Sequence, residues 1–485
     1  MQPLTIYNSL SRQKELFKPI KSPFVGLYVC GPTVYSDVHL GNCRTFISFD
    51  LMFRYLQHIG YKVRYVRNIT DAGHLEGDTD DGEDKISKKA KLEQLEPMEV
   101  VQKYTVDFHE VMRTFNVLPP SIEPTATAHI IEQLEMIRQI MENGYAYEVN
   151  GTVYFDVEKY NQHQNYGVLS GRRLDDLLEN TRELGGQDEK KGRLDFALWI
   201  RADEKHLMQW PSPWGMGFPG WHLECSAMSK KYLGEKFDIH GGGIDLIPTH
   251  HTNEIAQNVA CCNQNPANYW IHTNMLTVNG QKMSKSLGNS FLPNELFSGD
   301  HPLLEKGFSP MTVRFFMLQA HYRSTLDFSN QALEAAEKGF RRLMAAAKLL
   351  DKLQPGERSH YDVEGLEKRC YAAMNDDFNS PVAIAELFEA ARFINSVNDG
   401  KESITASDLE RLRKVYRVFL FDIFGLQEEQ QAAEGLDEVM DILIDLRKRA
   451  REQRDFATAD MIRDRLLAAG IALHDGKEGT SWSIG

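Results

Sequence analysis

The hydrophobic pattern of the chain alternates between strand-like and helix-like stretches, in an order typical of an α/β protein. Residues 24–30 (FVGLYVC) form an apolar run that predicts a strand. Residues 42–59 repeat apolar side chains at helical spacing, and residues 62–70 alternate like a second strand. Strand, helix and strand in this order predict one crossover unit of a parallel, Rossmann-like sheet.

Further along, this sheet is interrupted and then resumes. YAYEVNGTVYFDV predicts a hairpin that turns at Asn150 and Gly151, and apolar runs at 236–243 and 269–278 predict the returning strands. From 310 to 350 and from 362 to 425 the pattern is helical throughout. The predicted domains are a parallel-sheet domain in two halves (1–143 and 205–308), an insertion between them (144–204), a helical bundle (309–426) and a small C-terminal α+β domain (436–485).

Composition narrows the class of protein. Apolar residues make up 42% of the 485 residues and charged residues 26%, as in soluble globular proteins. No apolar stretch is long enough to cross a bilayer, so we expect a cytoplasmic protein without membrane contact. Six cysteines are too few for a disulfide framework and favour metal binding or reduced thiols. The net charge of −14 argues against a broad basic surface but permits a local basic patch.

The turn after the first strand carries HLGN, with His39, Gly41 and Asn42. A glycine-containing turn that opens a helix favours phosphate binding, since backbone N–H groups and the helix dipole face the anion. A polar helix start explains the same four residues, so both interpretations stay open. The second stretch is KMSKS, in which Lys282 and Lys285 flank serines. Lysines on a mobile loop suit a triphosphate, although a solvated loop has the same composition.

HLGN and KMSKS, far apart and in this order, resemble the two signatures of class I aminoacyl-tRNA synthetases. The resemblance implies an ATP site. His39 and Asn42 would contact phosphates, with Gly41 in the same turn. Lys282 and Lys285 would assist adenylation by stabilising the leaving pyrophosphate.

A third group of residues suggests a metal site. Cys30 closes the first strand, Cys225 lies in GWHLECSAMS, and His250 and Glu254 are four residues apart, as on one helix face. Two sulfurs, one nitrogen and one carboxylate would favour zinc. Two buried cysteines and a helix-capping carboxylate explain the spacing equally well, because no CxxC pair is present.

The stretches CGPTVYSDVHLGN, GWHLECSAMS, FDIHGGGIDL and HHTNEIAQ together resemble the cysteinyl-tRNA synthetase family over essentially the whole chain. That resemblance implies a zinc ion, one per chain, on Cys30, Cys225, His250 and Glu254, which binds the substrate thiolate directly. It also implies a cysteine pocket that includes Thr70, Trp221 and His240, although ordinary core packing explains Trp221 nearly as well. Gly241, Gly242, Gly243 and Asp245 would contact the adenosine of ATP, which magnesium accompanies.

One departure concerns the loop before the helix. The common family form reads FPHHENE where this chain has PTHHTNE, so that Thr252 replaces a carboxylate. The acidic stretch EGDTDDGED (76–84) could suggest a calcium loop, but it lacks the regular ligand spacing of such loops, which favours a solvated loop.

The last fifty residues resemble the anticodon-binding domain of the family. Basic residues cluster in a predicted helix, and one aromatic residue follows in a predicted strand. They are Arg447, Lys448, Arg449, Arg451, Arg454 and Trp482. Basic side chains would contact phosphates, and the tryptophan would stack on a base. A solvated helix face accounts for the same charges.

The function implied by the resemblance is cysteine–tRNA ligation. L-Cysteine and ATP would form cysteinyl-adenylate, and the cysteinyl group would pass to the 3′ end of tRNA(Cys). We expect a monomer. Two alternatives remain: a ligase that joins activated cysteine to an amino sugar, and a non-catalytic RNA-binding or regulatory relative. The C-terminal unit argues against the first, and the intact signatures argue against the second.

Overall fold

The structure is a computed structural model, in which residues 3–72, 84–172, 189–203, 206–284, 287–429, 436–453, 455–469, 471–476 and 479–484 are described. The chain divides into two compact units, Met1–Gln427 and Glu428–Gly485. Except for Asp84, the acidic stretch at 76–84 lies outside the described residues.

Sixteen strands are found among the described residues. They are β1 (Thr5–Asn8), β2 (Gln13–Leu16), β3 (Phe24–Val29), β4 (Lys62–Arg67), β5 (Ala146–Val149), β6 (Thr152–Phe155), β7 (Phe196–Arg201), β8 (Trp210–Ser212), β9 (Gly215–Pro219), β10 (Phe237–Gly243), β11 (Ala267–Thr273), β12 (Leu276–Val278), β13 (Gln281–Lys282), β14 (Leu326–Phe328), β15 (Ile471–Gly476) and β16 (Gly479–Ile484).

Fifteen α-helices are found in the same parts of the chain. They are α1 (Leu40–His58), α2 (Lys85–Glu93), α3 (Pro97–Thr114), α4 (Ile130–Glu142), α5 (Val157–Asn161), α6 (Trp221–Leu233), α7 (Thr252–Cys262), α8 (Pro293–Ser298), α9 (Pro310–Leu318), α10 (Asn330–Leu350), α11 (Val363–Asn375), α12 (Ser380–Asn398), α13 (Ala406–Tyr416), α14 (Leu436–Glu452) and α15 (Phe456–Ala468). None of them combines the length and the apolar character that a bilayer crossing needs.

The core of the first unit is a four-stranded sheet in the order β11-β10-β3-β4, with every neighbouring pair parallel. The predicted crossover is confirmed: β3, α1 and β4 follow one another, and α1 is buried on all sides over its middle, including Phe46 and Phe49. Parallel strands end at one edge of a sheet, so the loops after β3 and β10 meet there. The predicted α/β fold class is therefore confirmed.

The insertion forms its own five-stranded antiparallel sheet, in the order β5-β6-β7-β9-β8. Its first hairpin turns at Asn150 (φ 52°) and Gly151 (φ 89°), as predicted. Both residues adopt the left-handed conformation that a tight hairpin turn requires. The sheet continues to Pro219, fifteen residues beyond residue 204, and the predicted domain boundaries stay predictions. An additional hairpin, β8 and β9, follows β7 after eight intervening residues, and its second strand, β9, pairs with β7.

Two predicted elements are divided in the structure. The run 269–278 is two strands, because the chain leaves the sheet at Asn274, whose N–H donates to the carbonyl of Tyr322 (2.8 Å). The second piece, β12, pairs with β13 and β14 in a separate three-stranded sheet. The region 310–350 is not helical throughout, since β14 separates α9 from α10.

A buried ion pair fixes the helical region to the sheet domain. Arg314 on α9 donates to Asp50 on α1 at 2.5 Å, and both side chains are fully buried. Arg54 also donates to Asp50 (2.8 Å). The second unit consists of α14, α15 and an antiparallel pair of strands, β15 and β16, which matches the small α+β domain predicted there.

Candidate active site and metal site

The HLGN turn is the N-terminal cap of α1. His39 Nδ1 accepts from the backbone N–H groups of Gly41 (3.1 Å) and Asn42 (3.4 Å), while Asn42 Oδ1 accepts from the N–H of His39 (3.3 Å). This reciprocal pairing is a capping box. Because Nδ1 accepts, the neutral ring carries its proton on Nε2. The turn is thus both a polar helix start and a positive helix end suited to an anion.

A cavity of about 530 Å³ opens above this turn, within the size range of small-molecule sites. Eight of the predicted site residues are among those that line it: Cys30, His39, Gly41, Asn42, Trp221, Gly243, Asp245 and Lys282. They come from four chain segments, two of which lie at the carboxyl ends of β3 and β10 in the parallel sheet. The geometry therefore joins the two signature stretches in one pocket.

The described part of the KMSKS stretch is held close to the HLGN turn. Asn289 Oδ1 accepts from the N–H of Ser284 (2.8 Å), and its Nδ2 donates to the carbonyl of Lys282 (3.2 Å). Met283 reaches toward the turn, because a Cβ on Gly41 would lie 3.2 Å from Met283 Cε. Lys285, predicted to assist adenylation, lies outside the described residues.

Behind the cavity, four predicted metal ligands come together. One ligand atom from each of Cys30, Cys225, His250 and Glu254 lies within 4.8 Å of all the others, and all four residues are buried. Cys30 Sγ is 3.7 Å from Cys225 Sγ and 3.6 Å from Glu254 Oε1. His250 Nε2 is 3.2 Å from the same carboxylate oxygen. Two thiols, an imidazole and a carboxylate at these distances are a donor set typical of zinc.

A second set shares two of these residues and adds His240 and His251. His240 Nε2 is 2.8 Å from Glu254 Oε2, the oxygen that faces away from Cys30. His251 Nε2 is 3.3 Å from Cys30 Sγ, and its Nδ1 is 2.7 Å from His272 Nε2. Neither histidine lines the cavity. The set with His250 is the one next to the cavity, because Trp221 lines the cavity and its ring packs on that of His250, with the ring centroids 4.5 Å apart.

A π-helical turn at Ile247–His251 positions the histidines before α7 begins. Its wider winding is typical of functional sites. Thr252, which departs from the family pattern, is buried, and its hydroxyl donates to the carbonyl of Ile247 (2.6 Å). The hydroxyl of Thr252 therefore closes this turn, and Glu254, the predicted ligand that follows it, is present.

Burial dominates the electrostatics of the cluster. It raises the pKa of the Cys30 thiol well above its ordinary value, with Cys225 and Glu254 adding to the effect. Burial likewise raises the pKa of Cys225 and lowers that of His251 well below its ordinary value. Two thiolates and a carboxylate without a cation would repel one another here. A divalent cation would offset that repulsion, so the donor set fits one.

Four predicted substrate residues do not line the cavity. Gly241 and Gly242 lie inside the sheet, where a Cβ on Gly241 would be 2.1 Å from Phe49 Cζ. At Gly241 the glycine is thus needed for close packing of α1 on β10. Thr70 and His240 are buried and are not among the residues that line the cavity. Thr70 donates to Glu224 (2.8 Å), and His240 contacts Glu254.

Several residues of the site have no signal in the sequence motifs. Lys85, the first residue of α2, lines the cavity and adds a cation to it. Asn68 Oδ1 accepts from the N–H of Gly31 (2.9 Å) and lies 3.6 Å from Cys225 Sγ. Arg44 is buried, and its guanidinium donates to the carbonyls of Met275 (2.5 Å), His321 and Ser324. Of these residues, only Lys85 belongs to a feature that the sequence makes visible, the basic run that begins there.

The predicted tRNA-binding residues belong to the second unit. Lys448, Arg449 and Arg451 are exposed on α14, whereas Arg447 is only 6% exposed. Trp482 is half-buried on β16, opposite Leu473. Arg454 lies outside the described residues.

Comparison with known proteins decides the family. A family model described as the catalytic domain of class I (C) tRNA synthetases matches residues 16–338, and a DALR domain matches 369–428. The cysteine–tRNA ligase of Porphyromonas gingivalis is 60% identical over 486 residues, and that of Bacteroides fragilis 57% over 485, with 99% of each chain covered. The chain belongs to the cysteine–tRNA ligase family. It is an aminoacyl-tRNA synthetase, as the motifs implied.

Solved structures agree with this family at the level of the fold. A methionyl-tRNA synthetase of Mycobacterium tuberculosis, bound by methionyl-adenylate, has a TM-score of 0.58 at 15% identity, covering 90% of this chain and 96% of its own. A leucyl enzyme (LeuRS) of Agrobacterium radiobacter, from a ternary complex, has a TM-score of 0.56 at 12% identity, covering 84% and 85%. Class I synthetases of different amino acid specificity thus share the architecture of this cysteine–tRNA ligase family member. The DALR match covers most of α11, all of α12 and α13, and the segment up to residue 428, which the sequence motifs did not single out.

Proposed function

We propose that this synthetase activates L-cysteine with ATP and transfers it to tRNA(Cys), and that a zinc ion on Cys30, Cys225, His250 and Glu254 distinguishes cysteine from serine. The observation that carries the proposal is the proximity of this donor set to the cavity that contains the HLGN turn. Cys30 belongs to both, since it is a member of the donor set and lines the cavity.

The residues of the cavity position the reactants of the first step. The substrate carboxylate attacks the α-phosphorus of ATP, forming the O–P bond of the adenylate while pyrophosphate leaves. The amino end of α1 and its histidine face the phosphates as fixed donors. Lys282, Lys285 and Lys85 supply positive charge toward the leaving group, together with magnesium on ATP. In the second step a hydroxyl of the terminal adenosine of tRNA attacks the adenylate carbonyl, and AMP leaves.

Selectivity against serine follows from the donor set. Zinc supplies, when bound there, a borderline-soft centre that takes a thiolate far more readily than a hydroxyl. A pocket that relied on shape alone would separate such near-isosteres by roughly a hundredfold. Trp221 packs against His250 and holds its ring beside the cavity. Glu254 is held by His240, which donates to its outer oxygen.

tRNA recognition is proposed for the second unit. Lys448, Arg449 and Arg451 form an exposed basic stretch that suits a phosphate backbone. Arg447 is buried, so we expect it to contribute to packing within its unit rather than to contact phosphates. The monomeric state and the cytoplasmic location stay predictions.

The first experiment is charging of unfractionated tRNA with labelled cysteine, with labelled serine as the control. We expect cysteine alone on tRNA. Cysteine-dependent pyrophosphate exchange without charging would instead indicate a different acceptor of the activated cysteine, such as an amino sugar.

The zinc assignment is tested by Cys225→Ser, with Cys370→Ser as the matched control. Cys370 is a fully buried thiol on α11, away from the donor set. We expect the first variant to lose zinc by atomic spectroscopy and to misactivate serine, and the second to keep both properties of the wild type. Full zinc content in Cys225→Ser would remove that cysteine from the site.

The pyrophosphate role is tested by Lys285→Ala, with Lys338→Ala on the exposed face of α10 as the control. Adenylation should fall only in the first variant. Wild-type pyrophosphate exchange in Lys285→Ala would contradict the assignment.

A further inference from the structure

Two cysteines outside the active site form a close pair at the end of α7. Cys261 Sγ and Cys262 Sγ are 3.0 Å apart, and both residues are half-buried. Cys262 lies eight residues after Glu254 on the same helix, a distance of about 12 Å along the helix axis. The pair is therefore separate from the Cys30 and Cys225 cluster, and neither thiol lines the cavity.

The pair is held in place by two neighbouring helices. Lys230 on α6 places its Nζ 3.3 Å from Cys261 Sγ and 2.8 Å from Gln139 Oε1. The Cys261 thiol donates to the same Gln139 oxygen (2.8 Å). Asn143 donates to the carbonyls of Ala260 (2.8 Å) and Cys261 (3.1 Å). Both the backbone and one thiol are thus fixed before any ligand arrives, which lowers the entropic cost of binding.

The charges around the pair favour a thiolate. The pKa of Cys262 is lowered to about 7, first by its hydrogen bond with Cys261 and then by Lys230, while burial and the nearby Glu235 act in the opposite direction. The pKa of Cys261 is raised, first by its hydrogen bond with Cys262 and then by burial and by the negative charge of Cys262, while Lys230 acts in the opposite direction. One proton of the pair therefore leaves near neutral pH and the other stays on the hydrogen-bonded partner.

We propose that Cys261 and Cys262, with Lys230 beside them, form a dithiol site that captures soft thiophilic species, with trivalent arsenic as the ligand class. Adjacent sulfurs suit such ligands, since soft centres prefer thiolates. With phenylarsine oxide, two As–S bonds form and the As–O bond breaks. The oxygen leaves as water with the two thiol protons, so no oxidant or reductant is needed. The proposal does not depend on the zinc assignment.

The test uses the zinc-loaded full-length enzyme and one equivalent of phenylarsine oxide, followed by intact mass measurement. We expect one adduct per chain in the wild type and in Cys370→Ser, which removes a buried isolated thiol. The adduct should be at least tenfold weaker in Cys261→Ser and in Cys262→Ser, while cysteine charging by all three variants stays at the wild-type level. Persistence of the adduct in both variants, or its absence from the wild type, would overturn the proposal.

The role of Lys230 is tested separately by Lys230→Met. At pH 7 we expect iodoacetamide to alkylate Cys262 several-fold more slowly in this variant, and the difference to vanish above pH 9, where the thiolate forms without the ammonium. An unchanged rate at pH 7 would exclude Lys230 from the site.

Discussion

Replacement of Gly41 by alanine tests whether the HLGN turn does more than begin a helix. A Cβ at this position would lie 2.9 Å from His39 Cε1, 3.0 Å from His39 Nδ1 and 3.2 Å from Met283 Cε. Both neighbours are side chains that can move, so the fold can accommodate the methyl group. The imidazole would have to leave its position over the turn, and the loop that carries Met283 would shift with it.

Stability and activity should respond differently to this change. Alanine in place of glycine within a helix stabilises the fold by about 0.5–1 kcal/mol. Loss of the cap formed by His39 destabilises it by about 0.5–2 kcal/mol. The two effects offset each other, and the free energy of unfolding should change by about 1 kcal/mol or less. A hydrogen bond to a charged phosphate is worth about 1.5–3 kcal/mol. Its loss predicts a decrease in kcat/KM for ATP of roughly 10- to 100-fold.

The assay is cysteine-dependent pyrophosphate exchange at varied ATP, combined with urea unfolding of the same samples. Gly339→Ala is the matched control, since Gly339 lies within α10 and an added Cβ would meet Phe388 and Phe315 at 3.1 and 3.2 Å, far from the cavity lining. The control should keep the wild-type kcat/KM. Unchanged exchange by Gly41→Ala would refute a phosphate role for the turn and leave it a helix cap only.

Three further predictions concern the framework around the site. Asp50→Asn removes the charge that pairs with buried Arg314, so the free energy of unfolding should fall by about 3–5 kcal/mol in urea titration; a loss below 1 kcal/mol would contradict it. Asn289→Ala frees the backbone of the loop at Lys282 and should raise the KM for ATP several-fold with little change in Tm; an unchanged KM would show that the loop needs no such support. Burial lowers the pKa of His321 below its ordinary 6.5, so the unfolded chain takes up the proton first, and stability should decrease as the pH falls below about 6.5. In His321→Gln that decrease should be smaller between pH 7 and 5, and an identical slope would exclude this histidine as a contributor.

The sequence predicted best where a residue is fixed by its own local element. Cys30 follows directly after a strand, and His250 and Glu254 are about one helical turn apart, so their approach depends mainly on the sheet bringing the ends of β3 and β10 to one edge. His39 and Asn42 form a cap within four residues. Parallel-sheet topology then supplies the long-range part, since the carboxyl ends of neighbouring strands share one edge.

Residues that depend on packing between distant segments could not be predicted in this way. The contact of Gly241 with adenosine stays a prediction, and the motif does not reveal that the ring of Phe49 packs against this glycine. The buried contacts of Arg44 with carbonyls far along the chain have no local pattern at all.

The position of Cys30 has a consequence for how selectivity and chemistry are coupled. The segment from Cys30 to His39 joins the end of β3 to the start of α1, and both ends line the same cavity. Gly31 within it is fixed against the sheet, because a Cβ there would lie 1.6 Å from the carbonyl oxygen of Asn68. In the proposed function, a substrate thiol held by the metal beside Cys30 would have its carboxylate placed relative to the phosphate turn by one short, anchored segment. An amino acid that the metal does not hold would lose this placement as well as affinity, which would lower the rate of its activation.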